Sequence, residues 1–210
     1  QIQSRGLGDV YKRQVQYVVR PHKMAYQDYR GYAGRVVGGV LKAGDEVVVL
    51  PSGFKSTIAA VETYDGPVDE ASPPMSVVVR LADDLDISRG DMICRDHNRP
   101  HVGQDIDAMV CWLSEESSLR PGAKYAIKHT TRWSRTMVQG LQYRLDINTL
   151  HREEDADRLV LNDIGRVRLR TTQPLFYDGY RRNRETGSFI LVDESTNATV
   201  GAGMILGPAQ

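Results

Sequence analysis

The sequence predicts an all-β chain built as two consecutive antiparallel units, each a sandwich or a barrel. Short strand-like runs recur at spacings of about 8–12 residues. Turns carrying Gly or Pro separate them. No stretch holds an apolar period of about 3.6 residues long enough for a substantial helix.

The elements justify this in order. Val15-Gln16-Tyr17-Val18-Val19 is rich in β-formers and stops at Pro21. Gly31 to Val40 mixes valines with Gly34, Gly38 and Gly39, which mark bends or bulges. Lys42-Ala43-Gly44-Asp45 is a turn into the strand Glu46 to Leu50, and Pro51-Ser52-Gly53 is the next turn. Lys55 to Thr63 and Ser76 to Leu81 are further strands. Ser88-Arg89-Gly90-Asp91 repeats the earlier turn chemistry, and Met92-Ile93-Cys94 closes the unit. The polar stretch Asp96 to Gly103 reads as a connection. The first unit is therefore expected over 15–99, a linker over 100–105 and the second unit over 106–207.

In the second unit, Ile106 to Leu113 is a strand and Leu119-Arg120-Pro121-Gly122-Ala123 a turn. Lys124 to Thr131 alternates, with Tyr125, Ile127 and His129 on one side. Arg132 to Asp146 continues as strand, and His151 to Arg158 is a loop or one helical turn. Gly165 to Thr171 alternates valine and leucine against Arg166, Arg168 and Arg170. Pro174-Leu175-Phe176 leads into a basic loop, and Gly187 to Val192 and Thr199 to Leu206 are the last strands.

Residues 1–14 fit neither unit. They lack helical or strand periodicity, and Asp9 to Gln14 reads like a translated sequencing-library adaptor. The expectation is a disordered, non-native leader, with a scar at Gln14 and the true N-terminus missing.

Composition excludes several function classes. Lys+Arg and Asp+Glu both number 27, so the formal net charge is zero and nucleic acid is not expected as the main partner. No apolar run reaches about 18 residues, so no membrane is expected. No secretion signal is read, which points to a cytoplasmic protein. Cys94 and Cys111 make neither a zinc site nor a disulfide framework and read as free thiols. The histidines, His22, His97, His101, His129 and His151, are dispersed, and His97-x-x-x-His101 lies around Pro100 without helical register. Asp83-Asp84-x-Asp86 and Glu153-Glu154-Asp155-x-Asp157 lack the Gly and terminal Glu of a calcium loop and read as solvated charge. No metal, cofactor or catalytic residue is assigned. The candidate interface is basic: Arg166, Arg168 and Arg170 on one strand face, with Arg181, Arg182 and Arg184. Ordinary solvated strand charge is the competing reading. Trp133 reads as an interface anchor or as a core residue.

Three segments together resemble the translation-factor GTPases. Tyr29-Arg30-Gly31-Tyr32-Ala33-Gly34-Arg35-Val36 through Gly44-Asp45-Glu46-Val47 is similar to their second domain, and Ile87 to Ile93 to its closing strand. Thr199-Val200-Gly201-Ala202-Gly203 resembles the final strand of domain 3 in elongation factor Tu. Pro74 to Leu81 with Asp84 to Asp91, Lys128-His129-Thr130-Thr131, Leu161 to Gly165 and Phe189 to Asp193 resemble the large, GTPase subunit of bacterial sulfate adenylyltransferase. The resemblance covers about residues 15–207. It implies two β-barrels of the elongation factor Tu domain 2 and domain 3 type. It also implies a missing N-terminal GTPase domain in cis, which would hold GTP and magnesium, and a small catalytic subunit as partner. The whole protein would convert ATP and sulfate to adenylyl sulfate and diphosphate. This chain holds no G-x-x-x-x-G-K-[ST] loop and no Asn-Lys-x-Asp, so it is expected to be inactive alone. Asp28-Tyr29-Arg30-Gly31 fits D-x-x-G by chance. The alternative is a tRNA- or ribosome-associated barrel pair from another translation-factor GTPase.

Overall fold

The structure is a computed structural model that describes residues 12–20 and 29–209. Pro21, His22, Asp28 and residues 1–11 lie outside the described residues, so the readings placed on them have no structural counterpart. The chain divides after Arg99 into two units.

The first unit holds β1 (Lys12–Gln14), β2 (Tyr17–Val19), β3 (Gly31–Gly38), β4 (Leu41–Lys42), β5 (Glu46–Leu50), β6 (Lys55–Thr63), β7 (Gly66–Pro67), β8 (Glu70–Ala71), β9 (Ser76–Leu81) and β10 (Met92–Cys94). The hydrogen-bonded order is β1-β10-β5-β6-β9-β3, and β3 pairs back to β1. That closure makes a six-stranded antiparallel barrel and decides between sandwich and barrel. Inward residues alternate along its strands. Tyr32, Val36, Val47, Val49, Ile58, Val61, Val77 and Val79 meet in one core.

The second unit holds β11 (His101–Trp112), β12 (Lys124–His129), β13 (Arg132–Leu145), β14 (Arg152–Glu153), β15 (Ile164–Tyr177), β16 (Ser188–Val192) and β17 (Thr199–Pro208). Its order is β12-β16-β17-β11-β15-β13, and β13 pairs back to β12, closing a second six-stranded barrel. Trp112 belongs to its core, fully buried and edge-on to Tyr125 with ring centroids 5.4 Å apart. The Thr199-Val200-Gly201-Ala202-Gly203 strand has a packing reason. Gly201 and Gly203 face inward, where a Cβ at 201 would sit 3.3 Å from the Trp112 ring and one at 203 would collide with the Phe189 ring.

One turn recurs in both barrels. Lys42 to Asp45, Ser88 to Asp91 and Val160 to Asp163 each close with a backbone bond from the Asp N–H to the first carbonyl, at 3.3, 3.1 and 2.9 Å. In each, the Asp carboxylate accepts the N–H of the first residue, at 2.9, 2.8 and 2.8 Å. The third residue has positive φ, which is why Gly44 and Gly90 stand there and why Asn162 substitutes. A buried Leu41, Ile87 or Leu159 precedes each turn and pins it to the core.

Three expectations need correction. The leader does not end at Gln14 in structural terms. Lys12–Gln14 is buried as β1 between β10 and β3. Residues 100–105 are not a free linker, because β11 starts at His101 and pairs His101, Val102 and Gly103 with Tyr177, Phe176 and Leu175. That partner is distant in sequence, so local polarity could not reveal it. Within His151 to Arg158, Arg152–Glu153 forms the short strand β14 against Arg144 and Leu145, in place of a loop or helical turn.

Candidate interaction surface

An antiparallel strand with one solvated face alternates apolar and polar residues, while a strand covered on both faces reads as a near-continuous apolar run. β15 alternates, with buried Val167 and Leu169 against Arg166, Arg168 and Arg170. β16 does not. Phe189 and Leu191 are buried in the core, yet Ile190 on its outer face is also apolar. β11 and β17 do the same through Met109, Cys111, Ala202 and Met204.

Cross-strand register joins these outward residues into one row. Cys111 stands opposite Ile164 on β15 and Ala202 on β17. Ala202 stands opposite Ile190, and Ile190 opposite Lys128. Lys128 meets Trp133, and Ile164 meets Leu145. The row therefore crosses all six barrel strands. A second row runs beside it through Ser188, Met204, Met109, Arg166 and Tyr143. Between them lies a mainly apolar groove of about 550 Å³ that also touches Tyr180. Trp133 is on the surface, 51% exposed, with the Lys128 ammonium 5.5 Å from its ring centroid.

The predicted basic residues do not all stay free. Arg166 points outward from β15 and grips Asp107 through two nitrogens, which raises its pKa above the ordinary value. Arg170 bonds both oxygens of Asp105, at 3.0 and 2.7 Å. Arg168 is exposed on the same face. Arg181, Arg182 and Arg184 lie in the turn between β15 and β16. Arg182 is 4.0 Å from Asp178, and Arg184 lies over the Tyr180 ring at 5.9 Å. The Arg170–Asp105 pair is solvent-exposed and contributes little to stability, whereas Asp107 and Asp178 are buried. No disulfide joins the cysteines; Cys94 is buried and Cys111 is half-buried in the row. Among the described residues, no group of three His, Cys, Asp or Glu side chains could hold a metal ion. No described helix is long and apolar enough to cross a membrane.

A buried polar chain holds the basic turn. His129 is fully buried, and its Nε2–H donates to the Thr186 carbonyl at 2.8 Å; the carbonyl can only accept, so this nitrogen carries the proton. The Thr186 hydroxyl donates to Asp178 at 2.8 Å. Nδ1 of His129 has no partner. Burial pushes the His129 pKa down, and Arg132 adds to this. The Thr186 carbonyl and Asp178 oppose it less strongly. The folded value thus lies below the unfolded value of about 6.5. Its stabilising contribution is complete above pH 6.5 and is lost as pH falls through 6.5 toward the folded value. Lowering pH from 7.5 to 5.5 should therefore lower the unfolding free energy of the second barrel, by at most about 1.4 kcal/mol per pH unit below 6.5, and with it the urea midpoint. Asp146 and Asp193, held below the ordinary range by backbone and Ser195 hydrogen bonds respectively, lose their contributions only at lower pH. Urea titrations at the two pH values check this. A His129→Gln variant should flatten the difference.

Known proteins share both barrels. Residues 32–94 match the family described as elongation factor Tu domain 2. Residues 105–206 match the GTP-eEF1A C-terminal domain-like family. The bifunctional enzyme CysN/CysC of Mycobacterium tuberculosis strain H37Rv is 58% identical over 91% of this chain and 31% of its own length. The CysN/CysC enzyme of Rhodopirellula baltica is 46% identical over 97% of this chain and 30% of its own length. Sulfate adenylyltransferase subunit 1 of Aeromonas hydrophila is 46% identical over 91% of this chain and 39% of its own length. This chain thus spans roughly a third of the curated relatives it matches. The fold also matches a crystal structure of sup35 complexed with GMPPNP, with a TM-score of 0.85 at 17% identity, over 99% of this chain and 49% of that one.

Proposed function

We propose, from the premise that this chain belongs to the sulfate adenylyltransferase large-subunit family within the translation-factor GTPases, that its two barrels form a coupling module. In this reading the whole protein carries a GTPase domain that binds GTP and magnesium. It works with a small catalytic subunit that forms adenylyl sulfate and diphosphate from ATP and sulfate. The barrels transmit the nucleotide state of one to the other.

The observation that carries the reading is the outward row from Leu145 to Trp133, apolar through Ile164, Cys111, Ala202 and Ile190 and interrupted by Lys128 before Trp133. Apolar surface arranged contiguously across a barrel calls for a cover. The occupant we assign is the GTPase domain in cis. The curated relatives carry these same barrels within chains about three times as long, so further polypeptide is present at high effective concentration. Closed barrels suit the task because they have no open sheet edges and keep their docking faces fixed. Rotation of the GTPase domain on such a face is a known type of switch. Arg168 and the Arg181 to Arg184 turn then serve the small subunit, where charge complementarity sets orientation and approach rate.

Deletion tests this reading. A full-length relative lacking the stretch matched by residues 15–207 should lose activation of the small subunit. Full activation without that stretch would contradict the coupling role.

A further inference from the structure

The first barrel contains a charge where its core should be apolar. Arg13 is the inward residue of β1 and is fully buried. Its Nη2 donates to the Tyr32 carbonyl and, at 2.6 Å, to the Val77 carbonyl. Its Nε and Nη1 have no partner. No carboxylate pairs with it among the described residues. Burial lowers its pKa to about 9, so at neutral pH the guanidinium stays protonated inside the barrel. A buried cation without an anion is among the costliest arrangements a core can hold.

The slot around it is otherwise well made. Lys12, Arg13 and Gln14 stand opposite Cys94, Ile93 and Met92 on β10, while Lys12 and Arg13 stand opposite Gly38 and Val36 on β3. At Gly34 the two backbones approach so closely that a Cβ would strike the Gln14 carbonyl. Tyr32, Val36, Val77 and Ile93 all belong to the apolar core that β1 closes. Backbone pairing on both sides fixes a strand here. The surrounding side chains specify what should point inward from its middle.

We propose that the slot between β3 and β10 is a strand-binding site selective for a large apolar residue at position 13. The ligand class is an extended segment entering just before Val15, with Leu, Met or Phe at its centre. Arg13 occupies the site as a poor match. Replacing a buried charge with an apolar side chain of similar volume is commonly stabilising.

The test uses the full chain with Arg13→Leu, Arg13→Met and Arg13→Phe. Each should keep the fold, and at least Leu and Met should raise the melting midpoint of the first barrel by roughly 5–15 °C. Hydrogen exchange of the residue 12–14 amides should slow in the same variants. Arg13→Lys should not raise the midpoint, because it retains the charge. If Leu and Met both leave the midpoint unchanged or lower it, the bonds to Tyr32 and Val77 hold the strand and the proposal is wrong.

Discussion

Trp112→Ala should cost the second barrel about 3–5 kcal/mol and lower its melting midpoint by roughly 10–25 °C. Trp112 is fully buried at the end of β11, so its truncation removes the largest apolar side chain of the core. The cavity cannot refill easily. Tyr125 packs against one edge of the ring, and Gly201 beneath it has no side chain to move in. Bounding strands tied into a closed barrel also resist collapse, which raises the cavity penalty. The lost hydrogen bond from Nε1 to the Ser117 carbonyl, at 2.7 Å, is a smaller term of about 1 kcal/mol. Trp112→Phe separates the two, since it keeps most of the apolar volume and loses the bond. It should cost well under half as much as alanine. Near-ultraviolet circular dichroism during thermal unfolding reads both variants. A small effect of alanine would mean that the core is less tightly packed than described.

The barrel strands were legible where their pattern is local. Glu46–Leu50, Lys55–Thr63, Ser76–Leu81 and Met92–Cys94 have the bounds that β-rich composition and flanking turns suggest. The turn ending at Asp91 was readable because Gly90 and Asp91 repeat Gly44 and Asp45. Its relative ending at Asp163 was harder to see, since Asn162 takes the glycine position. Pairings between distant segments were not legible. His101 to Gly103 look like linker until the extension of β15 through Pro174 to Tyr177 gives them a partner. Lys12–Gln14 looks foreign by composition, and its strand depends on β3 and β10.

The candidate surface follows the same division. The spacing of Arg166, Arg168 and Arg170 placed them on one face, but the neutralising Asp105 and Asp107 lie on another strand. The apolar row carried a sequence signal that charge counting passes over. Phe189-Ile190-Leu191-Val192 fails to alternate, and Ala108 to Leu113 is apolar throughout. In an antiparallel barrel that loss of alternation marks a covered outer face. Which outer residues align across strands requires the register, and the register requires the fold.

The row also yields the most direct test of coupling. Ala202 and Ile190 are neighbours in it, on β17 and β16. Glutamates there can extend into water on the isolated barrel, so Ala202→Glu with Ile190→Glu should cost it only the repulsion of two facing carboxylates, about 1 kcal/mol. Against a docked apolar surface the same carboxylates are desolvated without partners, which costs several kcal/mol. On the proposed function, the measurement is GTP stimulation of diphosphate release by Aeromonas hydrophila sulfate adenylyltransferase subunit 1 carrying glutamate at the two matching positions, assayed with the proposed small subunit. The coupling account predicts a fall in stimulation of about a hundredfold, with the barrel still folded and ATP binding by the small subunit intact. Undiminished stimulation in the double variant would contradict it.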